Sequence, residues 1–404
     1  MKNMKSLKYV ILCFLAFTIM GCKSQKNTVE SSTKTIPTNI KWSDRMALTL
    51  IKAHPESYKI DDAKEPKWDY VHGLVLTSFE ELYKTRKNEI YKNYIQSYVD
   101  IFVQADGTIK TYQIEKYNID MVVAGRLLFN VYQNSKEEKY LKAMQLLRKQ
   151  IEEQPRTASG GFWHKKIYPN QMWLDGLYMG EPFYAEYTKT FEDGKNFDDI
   201  AKQFELIHSH ATDPKTGLLY HAWDESKAIP WANKETGTSP NFWSRSIGWY
   251  VMALVDVLDY FPKNHPKQKQ LVGYLNKTAD ALVKFQDQSG LWYQVTDQGN
   301  REGNYLEASG SSMFAYAFAK GANRGYLPTK YKAIANKAFS GIIKDLVKIG
   351  PDGEVIITQA CAVAGLGGKP YRDGSYEYYV NERKKDNDPK ATGPFILAAL
   401  ELNK

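Results

Sequence analysis

Tyr91-Lys92-Asn93-Tyr94-Ile95-Gln96-Ser97-Tyr98-Val99-Asp100-Ile101-Phe102 is the stretch on which the fold turns. Tyr91, Tyr94, Ile95, Tyr98 and Phe102 stand at i, i+3, i+4, i+7 and i+11, one apolar stripe of a helix with a period of 3.6. A second periodic run, near 68–85, ends only a few residues earlier, so the two helices form an antiparallel hairpin. The same stripe returns in Tyr140, Ala143, Met144, Leu147 and Ile151, and again in Val251, Leu254, Val255 and Leu258. Period-two alternation is scarce, so strands contribute little.

Extended along the chain, this pattern predicts twelve helices near 44–54, 68–85, 88–103, 118–133, 137–151, 172–189, 194–209, 243–261, 266–286, 306–320, 329–347 and 392–402. Short joins link the second helix to the third, the fourth to the fifth, the sixth to the seventh and the eighth to the ninth. Long joins fill 104–117, 152–171, 210–242, 287–305 and 348–391. Strict short–long alternation puts every long loop at one end of a helical ring. The expected fold is therefore all-α, an (α/α)6 barrel of six hairpins, with an open helical solenoid as the alternative. Loops held by a rigid frame are where function concentrates, and helix N-termini facing that rim favour a carboxylate ligand.

Four clusters fall on the predicted rim. The densest is Gly161-Phe162-Trp163-His164-Lys165-Lys166-Ile167-Tyr168-Pro169-Asn170-Gln171-Met172-Trp173-Leu174-Asp175-Gly176-Leu177-Tyr178-Met179. Asp175 lies in the first turn of the sixth helix. A capping role is the plain reading, but His164, Trp173 and Tyr178 around it are more than a cap requires. Asp120, in Tyr117-Asn118-Ile119-Asp120, holds the equivalent place one hairpin earlier, followed by Gly125-Arg126. Two acids facing one cavity permit one to stay protonated while the other ionises. Trp243-Ser244-Arg245-Ser246-Ile247-Gly248-Trp249 opens the eighth helix, and Arg245 and Trp249, four apart, share a face. Arg forks onto carboxylates and Trp carries sugar rings, although an Arg stacked on Trp is also an ordinary structural pair. His221-Ala222-Trp223-Asp224 adds polar and aromatic groups in the preceding loop. The last long loop carries Tyr371-Arg372-Asp373-Gly374-Ser375-Tyr376-Glu377-Tyr378-Tyr379, and its aromatic content argues against disorder.

The 404 residues suffice for one large domain or two ordinary ones, and a hydrophobic fraction of 43% supports a sizeable core. Lys2, Lys5 and Lys8 precede an apolar run from Tyr9 to Met20 that is too short to span a membrane comfortably. It ends Ile19-Met20-Gly21-Cys22, which looks like a lipobox. We therefore expect a lipoprotein signal peptide over 1–21, lipidation of Cys22, a flexible Ser/Thr/Asn-rich tether over 22–41 and a single catalytic domain over 42–404. The expected location is the bacterial envelope, in the outer membrane facing the periplasm, with the cell surface as the alternative. The lipid is then the only membrane contact.

The remaining cysteines, Cys13 and Cys361, leave the mature chain no internal disulfide. The formal charge of +8 falls to +5 once the three signal lysines are gone. No basic run of nucleic-acid type appears, so no nucleic acid is expected as a partner. His208 and His210 form a lone HxH read as solvent-facing, no metal-binding spacing is present, and no cofactor is expected. GxSxG, HExxH and Walker patterns are absent from the sequence.

Together the four clusters resemble glycoside hydrolase family 105, the unsaturated rhamnogalacturonyl hydrolases, from about Trp42 to Leu402. Met172-Trp173-Leu174-Asp175-Gly176-Leu177-Tyr178-Met179 is the most specific segment. Asp120…Gly125-Arg126, Trp243-Ser244-Arg245…Gly248-Trp249 and Tyr371-Arg372-Asp373-Gly374-Ser375 follow in matching order. The resemblance implies an (α/α)6 barrel without cofactor. It also implies removal of a 4,5-unsaturated uronic acid from the non-reducing end of polysaccharide-lyase products, by hydration of the C4=C5 bond. Asp175 then donates the proton to C4 and Asp120 is the second acid. The resemblance further implies substrate contacts from His164, Trp173, His221, Arg245 and Trp249, and from Arg372 and Tyr379. His72, in Trp68-Asp69-Tyr70-Val71-His72-Gly73, either shapes substrate choice or is a core histidine. The expected partner is an unsaturated acidic oligosaccharide of rhamnogalacturonan or ulvan type, bound by a monomer or weak dimer. The alternatives are an inverting (α/α)6 glycosidase using Asp120 and Asp175 about 6.5–9.5 Å apart, and a lipid-anchored glycan-binding protein without turnover.

Overall fold

The computed structural model describes residues 35–404. The signal at 1–21, Cys22 and the first part of the tether lie outside the described residues. In chain order the helices of the first half are α1 (Trp42–Ala53), α2 (Tyr70–Arg86), α3 (Glu89–Phe102), α4 (Arg126–Ser135), α5 (Glu138–Glu153), α6 (Leu174–Phe191) and α7 (Phe197–Ala211). There follow α8 (Ser244–Leu258), α9 (Gln268–Val283), α10 (Ala308–Arg324), α11 (Lys330–Gly341), a short α12 (Tyr376–Asn381) and α13 (Pro389–Leu402). None of these is long and apolar enough to cross a membrane.

Burial sorts the long helices into two sets. Helix α8 is buried along its whole length, and α10 and α13 are buried over nearly all of theirs. A helix enclosed on every side must stand in the interior. By contrast α3 buries only the stripe Tyr91, Tyr94, Ile95, Tyr98, Val99 and Phe102, and α5 buries Tyr140, Ala143, Met144, Gln150 and two further aliphatic positions. Packing follows the same division: α13 lies against α2 and α10, α8 against α6 and α10, and α6 and α2 against the α4 segment. The outer helices α3, α5, α7, α9 and α11 each back the inner helix that precedes them, and α1 backs α13. First and last helices thus form the sixth hairpin, and the ring closes as an (α/α)6 barrel rather than an open solenoid.

Caps explain where the inner helices begin. Asp69 accepts from Val71 N at the start of α2, Glu307 accepts from Ser309 N and Gly310 N at the start of α10, and Asp388 accepts from Lys390 N at the start of α13, where Pro389 takes the first helical position. Two predicted boundaries move by more than five residues. Helix α4 is not helical from 118. Residues 119–121 and 123–125 form 3-10 turns, and the α-helix starts at Arg126. The tight crossing with α2 sets this: a Cβ on Gly73 would lie 2.7 Å from Ala124 N. Helix α11 stops at Gly341 and one π turn, 342–346, carries the chain into the next loop.

The rim loops hold the strands β1 (Gln171–Trp173), β2 (Ala222–Asp224), β3 (Val347–Ile349), β4 (Val355–Ile357), β5 (Ala360–Cys361) and β6 (Lys384–Lys385), paired antiparallel as three ribbons. The β1–β2 register sets Gln171 opposite Asp224 and Trp173 opposite Ala222. These loops have small apolar clusters of their own. One joins Trp173, Ala222, Trp231 and Leu366, and another joins Trp243, Val295, Cys361, Tyr376 and Tyr379. Within the stretch expected as tether, Ile36 is fully buried and donates its N–H to the Asp352 carbonyl.

Candidate active site

Each end of the barrel holds a cavity. The larger, of ≈ 240 Å³, lies among the C-terminal ends of the inner helices. Its charges are already matched: Arg126 Nη1 is 3.0 Å from Asp256 Oδ2, and Lys320 Nζ is 2.7 Å from Asp256 Oδ1 and 2.8 Å from Asp259 Oδ2. The smaller, of ≈ 170 Å³, lies at the rim of long loops and gathers Asp120, His164, Trp173, Asp175, Arg245, Trp249 and Arg372. Chemistry points to the second cavity, because its acids differ in company and one of them is unpaired.

Asp120 follows the side-chain cap of Asn118 on its own N–H. Its Oδ2 is 2.6 Å from Lys165 Nζ and its Oδ1 is 3.3 Å from His164 Nε2. Burial alone raises this carboxyl, but the Lys165 charge and hydrogen bond together with His164 outweigh it and hold the group below the usual carboxylate value. The His164 ring is stacked on Trp173 at 4.5 Å and 9°, and burial pushes its pKa down to about 4. His164 is therefore a neutral donor at ordinary pH. Trp173 also stacks on Tyr168 at 5.0 Å and meets His221 edge-on. The β1–β2 ribbon and the bond from Leu174 N to the His221 carbonyl bring these loops together.

Asp175 lies in the first turn of α6 yet does not cap it. Its Oδ2 is buried without a hydrogen bond and faces the fully buried His221, whose Nε2 is 3.1 Å away but out of line for a proper bond. On the far wall Arg245 lies over the Trp243 ring at 4.6 Å and donates to the Cys361 carbonyl and to Ser309 Oγ. Trp249 is buried with its ring 4.8 Å from Tyr178. Arg372, like Arg245, differs from the two lysines of the wall in having no carboxylate partner. Its side chain donates to Tyr168 Oη, to the Leu366 carbonyl and to the Gly367 carbonyl, all neutral.

Three expected substrate contacts are corrected, the first being His221, which is fully buried and does not line the cavity. His72 is not on the cavity wall: it is 1% exposed, stacks on Tyr98 at 4.9 Å and has Nε2 2.8 Å from the Tyr58 carbonyl. The face of α2 that carries it turns to α3, which makes it a core histidine. Tyr379 is fully buried behind the wall, stacked on Trp243 and with its hydroxyl 2.7 Å from His221 Nδ1, so it reaches the site through those two rings and not through the substrate.

The HxH pair is split. His210 is exposed against Trp223, while His208 is half-buried, stacked on Tyr274 and 3.2 Å from the Tyr250 hydroxyl. Among the described residues no group of three or more His, Cys, Asp or Glu is placed to hold a metal ion.

The structure adds Lys165, Tyr168, Trp243 and Lys390 to the wall. Lys165 neighbours His164 in the densest cluster, and the signal was its adjacency. Lys390 is paired with Asp388 at 2.9 Å, and the Asp388-Pro389 cap just before it was the legible sign.

Comparison with known proteins finds a matching family and, among further matches, the three relatives that follow. Residues 42–404 match the family model described as Glycosyl Hydrolase Family 88. A solved structure of a C. acetobutylicum ATCC 824 glycoside hydrolase from family 105 superposes with a TM-score of 0.86 at 47% identity, covering 90% of this chain and 99% of that one. Unsaturated rhamnogalacturonyl hydrolase YesR of Bacillus subtilis (strain 168) is 28% identical over 316 residues, 77% of this chain and 84% of the relative. Protein Atu3128 of Agrobacterium fabrum is 35% identical over 229 residues, 55% of this chain and 97% of the relative.

Proposed function

The chain belongs to glycosyl hydrolase family 88 and is a glycoside hydrolase of the family 105 kind; from that premise we propose that it removes a 4,5-unsaturated uronic acid from the non-reducing end of oligosaccharides left by polysaccharide lyases. The observation that carries the reading is the Asp175 carboxyl. It stands at the cavity, its buried Oδ2 has no hydrogen bond, and it serves no cap. A vinyl ether needs one positioned acid and one positioned water.

In this reading the protonated Asp175 gives its proton to C4, and a water guided by the resulting carboxylate adds to C5 and returns its spare proton to Asp175. The product is a hemiketal carrying the ring oxygen and the new hydroxyl on C5. Opening of the C5–ring oxygen bond leaves a ketone at C5 and a hemiacetal at C1. The hemiacetal then releases the leaving sugar as its alcohol. Asp120, kept ionised by Lys165, accepts hydrogen bonds from the sugar hydroxyls. Trp173 and Trp249 line the cavity as apolar wall, and His164 is a neutral donor. The uronate carboxylate goes to the cationic side of the cavity. Lys165 and Lys390 already have carboxylate partners there, which leaves Arg372 beside Arg245 to receive it. Rhamnogalacturonan-type fragments are the substrate this reading favours, with ulvan-type fragments as the second case.

The enoate absorbs in the ultraviolet, and hydration destroys that absorbance whereas ordinary hydrolysis preserves it. Lyase-generated oligosaccharides should lose absorbance with the enzyme, and Asp175→Asn should lower the rate by roughly 10²–10⁴-fold. Cleavage of saturated oligosaccharides at the same rate would defeat the reading. We also propose that Cys22 is lipidated and tethers the enzyme in the envelope. Labelled fatty acid should enter the native protein and not Cys22→Ser.

A further inference from the structure

His221 is completely enclosed, and its two ring nitrogens meet different groups. Nδ1 is 2.7 Å from the Tyr379 hydroxyl, and Nε2 is 3.1 Å from Asp175 Oδ2. A neutral imidazole carries one N–H, so the group at Nδ1 decides what Nε2 presents to Asp175.

Tyr379 decides it by elimination. Among the described residues its hydroxyl has one hydrogen-bond partner, His221 Nδ1. Burial pushes this phenol well above its usual value, so it keeps its proton. A buried O–H left undonated costs more than an unused lone pair, so the proton points at Nδ1. Nδ1 is then the acceptor, and the imidazole hydrogen lies on Nε2, facing the carboxyl. The position of the phenol is fixed on all sides. Its ring stacks on Trp243 at 5.8 Å and 23°, its N–H reaches the Ser375 carbonyl, and its carbonyl accepts from Gln294 Nε2 at 3.0 Å. Gln294 Oε1 in turn accepts from Trp243 Nε1.

We propose that Tyr379 is a positioning residue: its hydroxyl locks His221 with the hydrogen on Nε2, so that a fixed donor awaits the carboxylate formed on Asp175 when its proton leaves for C4. This rests on the hydration reading above. In the resting site Nε2 and Oδ2 are close but misaligned, the condition expected of a hydrogen bond that tightens as charge develops. Substrate contact is not involved, so the loss of the hydroxyl falls on turnover rather than on binding.

The test pairs spectroscopy with kinetics. In protein labelled with ¹⁵N-histidine, the His221 signals are identified by their disappearance in His221→Gln. The native ring should show the Nε2–H tautomer, and Tyr379→Phe, which keeps the ring on Trp243, should shift it toward Nδ1–H or a mixture. The same variant should lose about ten- to a hundredfold in kcat, the worth of a hydrogen bond acting on a charged group, with KM within about twofold. A native His221 protonated on Nδ1 would overturn the proposal. So would a Tyr379→Phe enzyme with unchanged kcat, or one in which KM alone rises. If the native enzyme instead cleaves saturated oligosaccharides equally well, the hydration reading fails, while the tautomer assignment still stands or falls on the spectrum.

Discussion

His164 should make the enzyme lose stability on mild acidification, by an amount that can be worked out. The ring is 3% exposed, flat against Trp173, with Nδ1 buried and unpartnered. Burial lowers its pKa from 6.5 to about 4, and the nearby Asp120 offsets only part of that. Between those two values the unfolded chain binds a proton that the folded chain refuses. The stabilising difference is therefore complete above 6.5 and is lost as the pH falls toward 4.

At pH 5 the unfolded imidazole is about thirtyfold more protonated than neutral, and the folded one about a tenth protonated, which costs about 2 kcal/mol. The loss saturates near 3 kcal/mol, about 2.5 pKa units, below pH 4. Guanidinium unfolding of the native protein and of His164→Gln, each at pH 8 and pH 5, isolates this contribution, because the other titrating groups are common to both. The native protein should lose about 2 kcal/mol more than the variant between the two pH values. Equal losses would mean that the ring is charged, or solvated, in the folded state, and the picture of His164 as a neutral donor to Asp120 would have to be abandoned.

Three further outcomes are expected. Asp256→Asn strands the buried Arg126 charge at the far end of the barrel and leaves Lys320 only Asp259, and it should cost about 3–5 kcal/mol in chemical denaturation; a cost under about 1 kcal/mol would contradict the enclosed network. Lys165→Met removes a charge that holds Asp120 down, so the acidic limb of the kcat/KM profile should move toward neutrality, and an unmoved limb would show that Asp120 does not titrate in catalysis. Gly73→Ala places a Cβ 2.7 Å from Ala124 N, backbone that cannot simply turn aside. It should cost about 1–3 kcal/mol in stability and also lower kcat/KM, because the displaced 3-10 turns carry Asp120. Unchanged activity in a folded variant would argue against that linkage.

Local spacing made the barrel legible before any coordinates. The stripe of Tyr91, Tyr94, Ile95, Tyr98 and Phe102 has only one way to be buried, and a few residues between stripes allow only an antiparallel return. The same holds for Asp120 and Asp175: each stands in the first turns of a segment whose start was marked by nearby polar and aromatic residues, and alternation put both starts at one rim. Where the loops close on each other, spacing carries no such information. Lys390 reaches the cavity only because the last helix returns beside the first, some three hundred residues away in sequence.

His72 and Tyr379 show the limit of sequence most directly. Both are polar aromatics near the rim, and their composition reads as substrate contact. Which way a side chain turns is decided by what packs behind it: Tyr98 and the Tyr58 carbonyl for His72, Trp243 and His221 for Tyr379. The 3-10 start of α4 arises the same way, from the close passage of Gly73 against Ala124. By itself the sequence determined helix, hairpin order and the placing of two acids at a common rim, because these depend on periodicity and loop length within a few residues. Only the tertiary structure decided which acid is paired and which is bare, since that depends on Lys165 and His221 arriving from different loops, and charge pairing acts over a few ångströms whatever the separation along the chain.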